Sequence, residues 1–367
     1  MASYILFVAG ALLLSCIIGF ISIPYILDFC RQKALYDIPN SRKVHKNAIP
    51  RLGGIVFLPG MLLSFVIAVM TMSEVDGEQK ISISLWSVSF LVSLMLIYIT
   101  GITDDILGLS ARTKFIIQTV AACLLPMSGL YINNMYGLFG IYEIPFAVGF
   151  PLTVLTIVFI DNAMNLIDGI DGLSAGLSII ALTGFLFAFA NIGLWTYAVL
   201  IAGLIGIIIP FLYYNIFGDA EKNKKIFMGD SGSLTLGFIL SFLLVKYSMD
   251  NPAVLPYRDN SLIFASSLLI VPTFDVFRVM LHRVRNHKSI FAADKKHIHH
   301  KLMRAGMSQH KALCVILALA VMFIVVNNIL AFAGFTTVII IDILSYTAFH
   351  LVLNRMIFKH IKKGHAG

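Results

Sequence analysis

Long apolar runs separated by short polar stretches dominate this chain. A helix needs roughly 20 residues to cross the hydrocarbon core of a bilayer, and eleven runs approach that length. The pattern predicts an all-α polytopic membrane protein with about eleven transmembrane helices and a single membrane-embedded domain over 1–367. Because two of the breaks are short, ten helices are an alternative. The runs lie near residues 4–29, 53–72, 82–102, 115–132, 145–162, 174–190, 195–215, 231–249, 261–281, 311–332 and 336–354.

The first apolar run is long enough to be a retained membrane span rather than a cleaved signal peptide. It extends from Tyr4 to Leu27, and no Lys or Arg precedes Arg31. A signal peptide has a basic start and an apolar core of about 7–15 residues. Composition agrees with a membrane protein, since 59% of the residues are hydrophobic, 13% are charged and the mean hydropathy is +0.90.

The basic residues predict the orientation of the chain. With eleven spans, one set of loops and the C-terminal tail together hold 23 of the 27 Lys and Arg. Cytoplasmic loops carry such an excess, so this set is predicted to be cytoplasmic, with the N-terminus outside and the C-terminus inside. The net charge of +8 then reflects topology and contact with anionic lipid, and we expect no nucleic-acid partner.

Four polar side chains lie close together in the stretch Asn-Ala-Met-Asn-Leu-Ile-Asp-Gly-Ile-Asp-Gly-Leu. The carboxamides Asn162 and Asn165 precede the carboxylates Asp168 and Asp171. A carboxylate at the centre of a spanning helix costs about 2.5–3.5 kcal/mol on insertion scales. The stretch therefore fits a turn at the membrane face, where its side chains meet water, a cation or a substrate. An ordinary solvated loop is the alternative.

Two other loops on the same side carry acids. Asp104 and Asp105 are adjacent, and neighbouring carboxylates favour a cation or a shared proton. Lys114 opens the next run, where its ammonium group and the free N–H groups of a helix suit an anion. Asp230 lies in Met-Gly-Asp-Ser-Gly-Ser, where another span begins. The alternatives are structural, because Asp is also favoured at helix N-termini and as a helix cap.

Basic residues cluster in the first loop. Arg42, His45 and Arg51 can bind phosphate groups, and the pair Gly53-Gly54 allows backbone amides to approach a ligand closely. On charge alone, a loop that only sets topology is an equal alternative.

The last large loop joins three imidazoles to lysines, in the order Asp-Lys-Lys-His297-Ile-His299-His300-Lys. Three histidines can bind zinc, but no cysteine accompanies them and the neighbouring lysines repel a cation. The segment is better suited to holding phosphate oxygens. The four cysteines have neither metal-binding nor paired spacing, so we expect no zinc site and no disulfide.

Clustered carboxylate and amide oxygens at one water–lipid boundary indicate a hard divalent cation. Mg²⁺ binds through one or two protein oxygens while substrate phosphates fill other positions, and Mn²⁺ can replace it. Basic groups opposite the acids suit the charge of a transferring phosphoryl group. The residues therefore predict phosphoryl transfer between a soluble cytoplasmic donor and a lipid-borne acceptor.

Taken in order, the motifs resemble those of one enzyme family. Arg-Lys-Val-His with Pro-Arg-Leu-Gly-Gly, Asp-Asp, the stretch around Asn165, Phe-Met-Gly-Asp-Ser-Gly-Ser and Asp-Lys-Lys-His-Ile-His-His follow one another. This combination closely resembles the polyprenyl-phosphate N-acetylhexosamine-1-phosphate transferases of glycosyltransferase family 4, which are related to phospho-N-acetylmuramoyl-pentapeptide transferase. The resemblance covers residues 37–305, and 306–367 hold the last two predicted spans and a basic tail.

The resemblance implies roles for individual residues. Asp104 and Asp105 match a pair that handles the lipid phosphate, one of them as the favoured base, and Lys114 matches a lysine on the donor diphosphate. Asn165 and Asp230 match the positions associated with Mg²⁺. The other matched residues lie near the metal, the uridine or the sugar diphosphate: Asp168, Asp171, Arg278, Arg283, His297, His299 and His300.

The reaction implied by the resemblance is transfer of a HexNAc 1-phosphate group. For the His-x-His-His branch the expected donor is UDP-N-acetylglucosamine, the acceptor is undecaprenyl phosphate, UMP is released and Mg²⁺ is the cofactor. Such enzymes lie in the bacterial inner membrane and start synthesis of O-antigen, enterobacterial common antigen or teichoic-acid linkage units. We expect direct in-line attack on the β-phosphorus, and a two-step route through an aspartyl-phosphate is the alternative.

Several alternatives stay open at the level of the sequence. Another UDP-N-acetylhexosamine could be the donor, and the chain could form a homodimer. A transporter or lipid flippase is a different class, but such proteins usually place ionisable residues near mid-span and have related halves. Three features depart from the family: the segment 218–225 looks longer than usual, Ile290-Phe291 stands where the family has Pro-Phe, and Asp161 is an additional acid without an assigned role.

Overall fold

The computed structural model describes residues 2–37, 48–76, 84–251, 255, 257–289 and 295–364, and within these ranges the chain is almost entirely helical. Most helices are long, and several consecutive pairs pack against each other, among them α1 with α2, α3 with α4, α4 with α5 and α6 with α7. The helices are α1 Ala2–Gln32, α2 Phe57–Asp76, α3 Leu85–Leu107, α4 Ala111–Met127, α5 Phe146–Ile167, α6 Leu173–Asn191, α7 Trp195–Ile216, α8 Gly229–Ser248, α9 Ser261–Ser267, α10 Ile270–Arg285, α11 Ile298–Arg304, α12 Gln309–Leu330 and α13 Phe335–Gly364.

Two short antiparallel hairpins complete the described fold. Strand β1 (Tyr36–Asp37) pairs with β2 (Ile49–Pro50), next to the end of the bundle where the predicted acids lie. Strand β3 (Asn134–Leu138) pairs with β4 (Ile141–Glu143) and contacts the start of α13, where the Thr336 hydroxyl accepts a hydrogen bond of 2.7 Å from the backbone N–H of Phe139.

The prediction of an all-α polytopic membrane protein is confirmed, but a count of eleven spans is not. Nine helices of the described chain are long and apolar enough to cross a bilayer, and the pair α9–α10 would be a tenth. The run predicted at 261–281 is broken into these two helices, which are bent by 71°. The run predicted at 115–132 forms α4, whose 17 residues are short for a span of roughly 20.

Helix α8 lies at the centre of the bundle. Of its 20 residues, 17 are buried, and it packs between α3 and α5. Its first half is rich in small residues, with glycine or serine at 229, 231–233 and 237. Small side chains let helix backbones approach closely in a membrane, where the hydrophobic effect does not drive helices together. This central position places Asp230, in the first turn of α8, between the ends of its neighbours.

Several helices begin or end at the same end of the bundle. Helix α3 ends at Leu107 and is followed by Gly108, which adopts φ 72°. The Ser110 hydroxyl caps α4 by accepting from the backbone N–H of Thr113 at 3.1 Å. The short turn makes α3 and α4 antiparallel neighbours, so the end of α3 lies beside the start of α4. At the same level α5 ends at Ile167 and α6 begins after Gly172.

Candidate active site

A cavity of about 540 Å³ opens at this end of the bundle, and acids from several separate segments line it. The lining combines these carboxylates with basic and amide side chains, so the site is polar although the chain is not. The polar lining residues are Asp37, Arg51, Asp104, Asp105, Asn165, Asp168, Asp171, Asn215, Lys225, Asp230, His300 and Gln309.

Lys114 joins two of these acids. Its Nζ lies 2.8 Å from Oδ2 of Asp230 and 3.3 Å from Oδ2 of Asp104, so one ammonium group bridges α3 and α8. Asn165 completes the group from α5, because its Nδ2 donates to Oδ1 of Asp230 at 3.0 Å and to the Ser233 hydroxyl at 2.8 Å. Residues from four helices therefore meet around the Asp230 carboxylate.

Asp105 differs from its neighbour Asp104. Its Oδ1 accepts from the backbone N–H of Asp230 and its Oδ2 accepts from that of Ser231, both at 2.9 Å. The first N–H groups of a helix have no partner within the helix, so Asp105 satisfies two of those of α8. The acid pair of the sequence is thus divided between a carboxylate paired with lysine and a carboxylate that caps the helix of Asp230.

Asp168 lines the cavity without a compensating group. Within the described chain its carboxylate has neither a hydrogen bond nor an ion pair. Burial raises its pKa to about 8, and repulsion by Asp230, Asp171 and Asp105 contributes. A carboxylic acid in this state takes up a proton near neutral pH or binds a cation. The position therefore favours a positively charged ligand.

Asp171 lies at another part of the lining and is paired. Lys225 donates from Nζ to its Oδ2 at 2.7 Å. Nearby, Asn215 joins two segments, because its Oδ1 accepts from the backbone N–H of Gly172 at 2.7 Å and its Nδ2 donates to the carbonyl of Ile226 at 2.8 Å. These contacts fix the turn that holds Asp168 and Asp171 against the segment before α8.

The histidine segment is held in place by α10. Asp275, whose side chain is fully buried, accepts at Oδ2 from Nδ1 of His297 (2.8 Å) and at Oδ1 from the backbone N–H of Ile298 (3.0 Å). Arg278 donates to Oδ1 of Asp275 at 2.7 Å and to the carbonyl of Lys296 at 2.6 Å. The side chain of His297 does not cap α11, so Asp275 supplies the missing acceptor from another helix.

The two histidines that follow have different environments. His300 lines the cavity. His299 is 1% exposed and its imidazole packs on Gly169, so closely that a Cβ atom there would overlap Nε2. Burial lowers the pKa of His299 to about 3, so this imidazole is neutral at physiological pH. In the described chain neither of its ring nitrogens has a hydrogen-bond partner.

The remaining predicted site residues are distributed unevenly. Arg51 lines the cavity, whereas Asn162 lies outside the lining and donates to Oε1 of Gln118 at 3.0 Å. Arg283 is buried in α10, also outside the lining. Arg42 and His45 lie outside the described residues.

The glycine pair of the first loop does not present its amides to the cavity, contrary to expectation. The N–H of Gly53 donates to the carbonyl of Phe227 at 2.9 Å, and that of Gly54 donates to the carbonyl of Met228 at 2.8 Å. The pair therefore ties the first loop to the segment that leads into α8.

The donor set fits a hard divalent cation that is bound in part by substrate. The candidate ligands are oxygens, those of Asp104, Asn165, Asp168 and Asp230, and Mg²⁺ prefers such ligands. No group of three His, Cys, Asp or Glu in the described chain is close enough to hold a metal by itself. Mg²⁺ sites commonly use one or two carboxylates and complete their coordination with water and phosphate oxygens.

Sequence reasoning missed four polar lining residues: Asp37, Asn215, Lys225 and Gln309. Asn215 is a lone carboxamide at the end of an apolar run, the same signal that singled out Asn162 and Asn165, and it could have been found that way. Lys225 is one of three lysines in the segment 218–225, and nothing in the sequence distinguishes it from the other two.

Comparison with known proteins relates the chain to one family. The sequence profile of glycosyl transferase family 4 matches residues 87–248. A Bacillus subtilis (strain 168) protein, named as a probable undecaprenyl-phosphate N-acetylglucosaminyl 1-phosphate transferase, is 35% identical over 299 residues, which cover 78% of this chain and 75% of the relative.

Two further relatives have similar names. The undecaprenyl-phosphate alpha-N-acetylglucosaminyl 1-phosphate transferase of Escherichia coli (strain K12) is 29% identical over 338 residues, covering 89% of this chain and 85% of its own. The protein of that name from Yersinia pestis is 29% identical over 299 residues, which cover 80% of this chain and 76% of the relative. The profile match includes five of the six aspartates that line the cavity: Asp104, Asp105, Asp168, Asp171 and Asp230.

Proposed function

Because the chain belongs to glycosyl transferase family 4, we propose that it transfers N-acetylglucosamine 1-phosphate from UDP-N-acetylglucosamine to undecaprenyl phosphate. The names of the relatives support this acceptor and this sugar. The observation that carries the proposal is the meeting of Lys114, Asn165 and Asp104 around Asp230 at a cavity on the end of the bundle. A lipid phosphate and a soluble nucleotide can both reach such a place.

We infer that the cavity acts with Mg²⁺. A diphosphate would be repelled by a lining that contains six aspartates unless a cation came with it. Asp168, Asp230 and Asn165 would hold the ion, with Mn²⁺ as a substitute. When bound, it would neutralise the charge that develops on the diphosphate oxygens.

The chain's own residues position and stabilise the reacting groups. Lys114 sits between Asp104 and Asp230 and can turn its ammonium group to a diphosphate oxygen while it keeps one of these partners. His300 and Arg51 reach the cavity from other segments and provide further donors for phosphate oxygens. Asp105 contacts no reacting group in this scheme and holds the start of α8 in position.

The transfer proceeds by a single in-line displacement. An oxygen of the lipid phosphate forms a bond to the β-phosphorus of the UDP-sugar, and the bond from that phosphorus to the oxygen between the two phosphates breaks, so UMP leaves with the electron pair. A phosphate monoester has a second pKa near 6 and is largely a dianion at pH 7, so no strong base is needed. Asp104 therefore positions the acceptor more than it removes a proton.

The orientation follows from the positive-inside bias. We place the cavity at the cytoplasmic face of the bacterial inner membrane, with the N-terminus outside and the C-terminus inside, since 23 of the 27 Lys and Arg fall in the loops and tail assigned to that side. A soluble nucleotide donor is present on that face only.

The test is release of UMP by the purified protein in detergent with undecaprenyl phosphate, Mg²⁺ and each of a panel of UDP-sugars. We expect UMP and a lipid diphosphate-sugar from UDP-N-acetylglucosamine, with loss of turnover in Asp230→Asn. Asp342→Asn, a buried acid in α13 outside the cavity lining, is the matched control. Preference for another UDP-N-acetylhexosamine would change the donor, and failure of all of them would overturn the proposal.

Stereochemistry at phosphorus separates the two possible routes. With a β-phosphorus made chiral by isotopic labelling, a single displacement inverts the configuration, whereas an aspartyl-phosphate intermediate leads to overall retention because each of two steps inverts it. We expect inversion.

A further inference from the structure

A second group of polar side chains lies one helical turn deeper in the bundle than the site. Asp161 in α5 is 1% exposed and Gln118 in α4 is 2% exposed. The Nε2 of Gln118 donates to Oδ2 of Asp161 at 2.9 Å, and Nδ2 of Asn162 donates to Oε1 of Gln118 at 3.0 Å. None of the three residues is part of the cavity lining. They therefore have no direct contact with a substrate in the cavity.

These groups are costly to bury, and their presence calls for a role. A buried polar group without a partner is unfavourable by roughly 1–3 kcal/mol, and an ionisable residue within a span is rare. Oδ1 of Asp161 has no hydrogen-bond partner in the described chain. It lies against Gly237 of α8, where a Cβ atom would be 2.7 Å from Cα of Asp161 and 2.8 Å from Oδ1. Helix α8 thus passes directly beside this group.

The group completes a set of links among three helices. At the site, Lys114 links α4 to α8 through Asp230, and Asn165 links α5 to α8 through the same carboxylate. The described hydrogen bonds of Lys114 and Asn165 do not join α4 to α5. That link is made one turn deeper, by Gln118 with Asp161 and Asn162, four residues from Lys114 on one helix and three to four from Asn165 on the other. Residues four apart lie on the same face of a helix.

We propose that Gln118, Asp161 and Asn162 form a positioning network that holds Lys114 and Asn165 at a fixed separation and so determines where Asp230 presents its carboxylate. The proposal rests on the proposed function and gives roles to Asp161 and to Asn162. The network acts through the site residues above it. Loss of the α4–α5 link lets Lys114 shift relative to Asp230, and a displacement of about 1 Å in a phosphoryl-transfer site reduces turnover by up to about 100-fold.

The test compares variants that keep or remove the hydrogen bond from Gln118. In Asp161→Asn the amide oxygen can still accept it, so we expect most of the wild-type kcat. In Asp161→Leu and Gln118→Leu the bond is lost, and we expect kcat to fall about 10- to 100-fold while KM for UDP-N-acetylglucosamine changes little. Rescue by the conservative variant separates positioning from a requirement for negative charge.

Ser93→Ala is the matched control. The Ser93 hydroxyl donates to the carbonyl of Ala121 at 2.8 Å, so this buried bond also links α4 to a neighbouring helix but lies away from the site. We expect its loss to lower the thermal midpoint in detergent as much as Gln118→Leu does and to leave kcat unchanged. An equal fall of kcat in both variants would show a general loss of packing and overturn the proposal.

A double-mutant cycle tests whether the network acts through Lys114. If it does, Gln118→Leu lowers kcat little further in a Lys114→Met background, and the effects of the two changes on the thermal midpoint are also not additive. Additivity in both measurements would overturn the proposal. The thermal measurement needs no substrate, so it decides the inference even if the wild-type protein releases no UMP, a result that would instead overturn the proposed function.

Discussion

Asp105 caps the helix that carries Asp230: its two carboxylate oxygens accept hydrogen bonds from the backbone N–H groups of Asp230 and Ser231, each at 2.9 Å. The N-terminus of a helix has a partial positive charge, which a carboxylate stabilises. Asp104, one residue earlier on α3, instead faces Lys114. Adjacent residues on a helix point about 100° apart, so the same acid pair reaches both the ammonium group and the end of α8.

The first prediction follows from this division between the two acids. Asp105→Asn leaves one of the two N–H groups of α8 without its acceptor, so we expect a loss of about 1–3 kcal/mol in the free energy of unfolding together with a loss of turnover. Asp104→Asn removes a partner of Lys114 but no helix cap, so we expect loss of turnover with a small change in stability. Thermal unfolding in detergent and UMP release measure the two effects. Equal destabilisation by both changes would contradict the assignment.

The second prediction concerns Lys114 as a competitor of the cation. Its Nζ occupies Oδ2 of Asp230 at 2.8 Å, so Lys114→Met leaves this oxygen available to a divalent ion. We expect Mg²⁺ to raise the thermal midpoint of Lys114→Met at lower concentration than that of the wild type, while turnover falls by about 10²-fold or more because the diphosphate loses a cationic partner.

Lys225→Met is the control for this change. It also removes an ammonium group from an acid at the cavity, Asp171, and so alters the net charge by the same amount. We expect the Mg²⁺ concentration that raises the thermal midpoint to fall less in Lys225→Met than in Lys114→Met. Identical shifts would indicate a response to net charge alone.

The third prediction is a pH dependence that originates in Asp168. Burial, with repulsion by neighbouring acids, raises the pKa of this group to about 8, whereas an unfolded chain releases the proton near the ordinary pKa of 3.8. Between these values the folded protein holds a proton that the unfolded chain does not, so this group lowers stability as pH rises from about 4 to about 8. Without divalent cations, the thermal midpoint of Asp168→Asn relative to the wild type should therefore rise between pH 5 and pH 8.

The same group links cation binding to protons. A divalent ion at Asp168 favours the ionised carboxylate, so its binding releases a proton, and the apparent affinity for Mg²⁺ should rise with pH up to about 8. Addition of Mg²⁺ should also remove most of the difference between the wild type and Asp168→Asn at pH 8. If the thermal midpoints of the wild type and Asp168→Asn differed by the same amount at every pH, titration of Asp168 would not be the cause.

The sequence could predict which residues lie at one end of the bundle but not how they pair. Asp104, Asn165 and Asp230 each fall where an apolar run begins or ends, and the cost of burying a charge at mid-span favours such positions. Which of two adjacent acids meets Lys114 depends on the rotation of α3 about its axis. That rotation is determined by packing against α8, and no local pattern encodes it.

The histidine segment shows the same limit. Three imidazoles in four residues predict a phosphate-binding group, but in the structure only His300 lines the cavity, because Asp275 holds His297 and the ring of His299 packs on Gly169. The number of membrane spans could not be predicted from hydropathy either, because packing between helices decides where a helix is broken. A hydropathy pattern does not reveal the bend of 71° between α9 and α10.

The last prediction is that Asp275 acts through the histidine segment, since its carboxylate is fully buried outside the cavity lining. In Asp275→Asn one oxygen must replace the two that hold His297 and Ile298, so the start of α11 loosens and His300 loses its fixed place. We expect KM for UDP-N-acetylglucosamine to rise about 10-fold with a smaller fall in kcat. Asp342→Asn, in a buried acid that accepts from Asn327 at 2.9 Å, should leave KM unchanged. A KM that rises equally in both variants would mean that loss of a buried carboxylate, and not release of the histidines, is responsible.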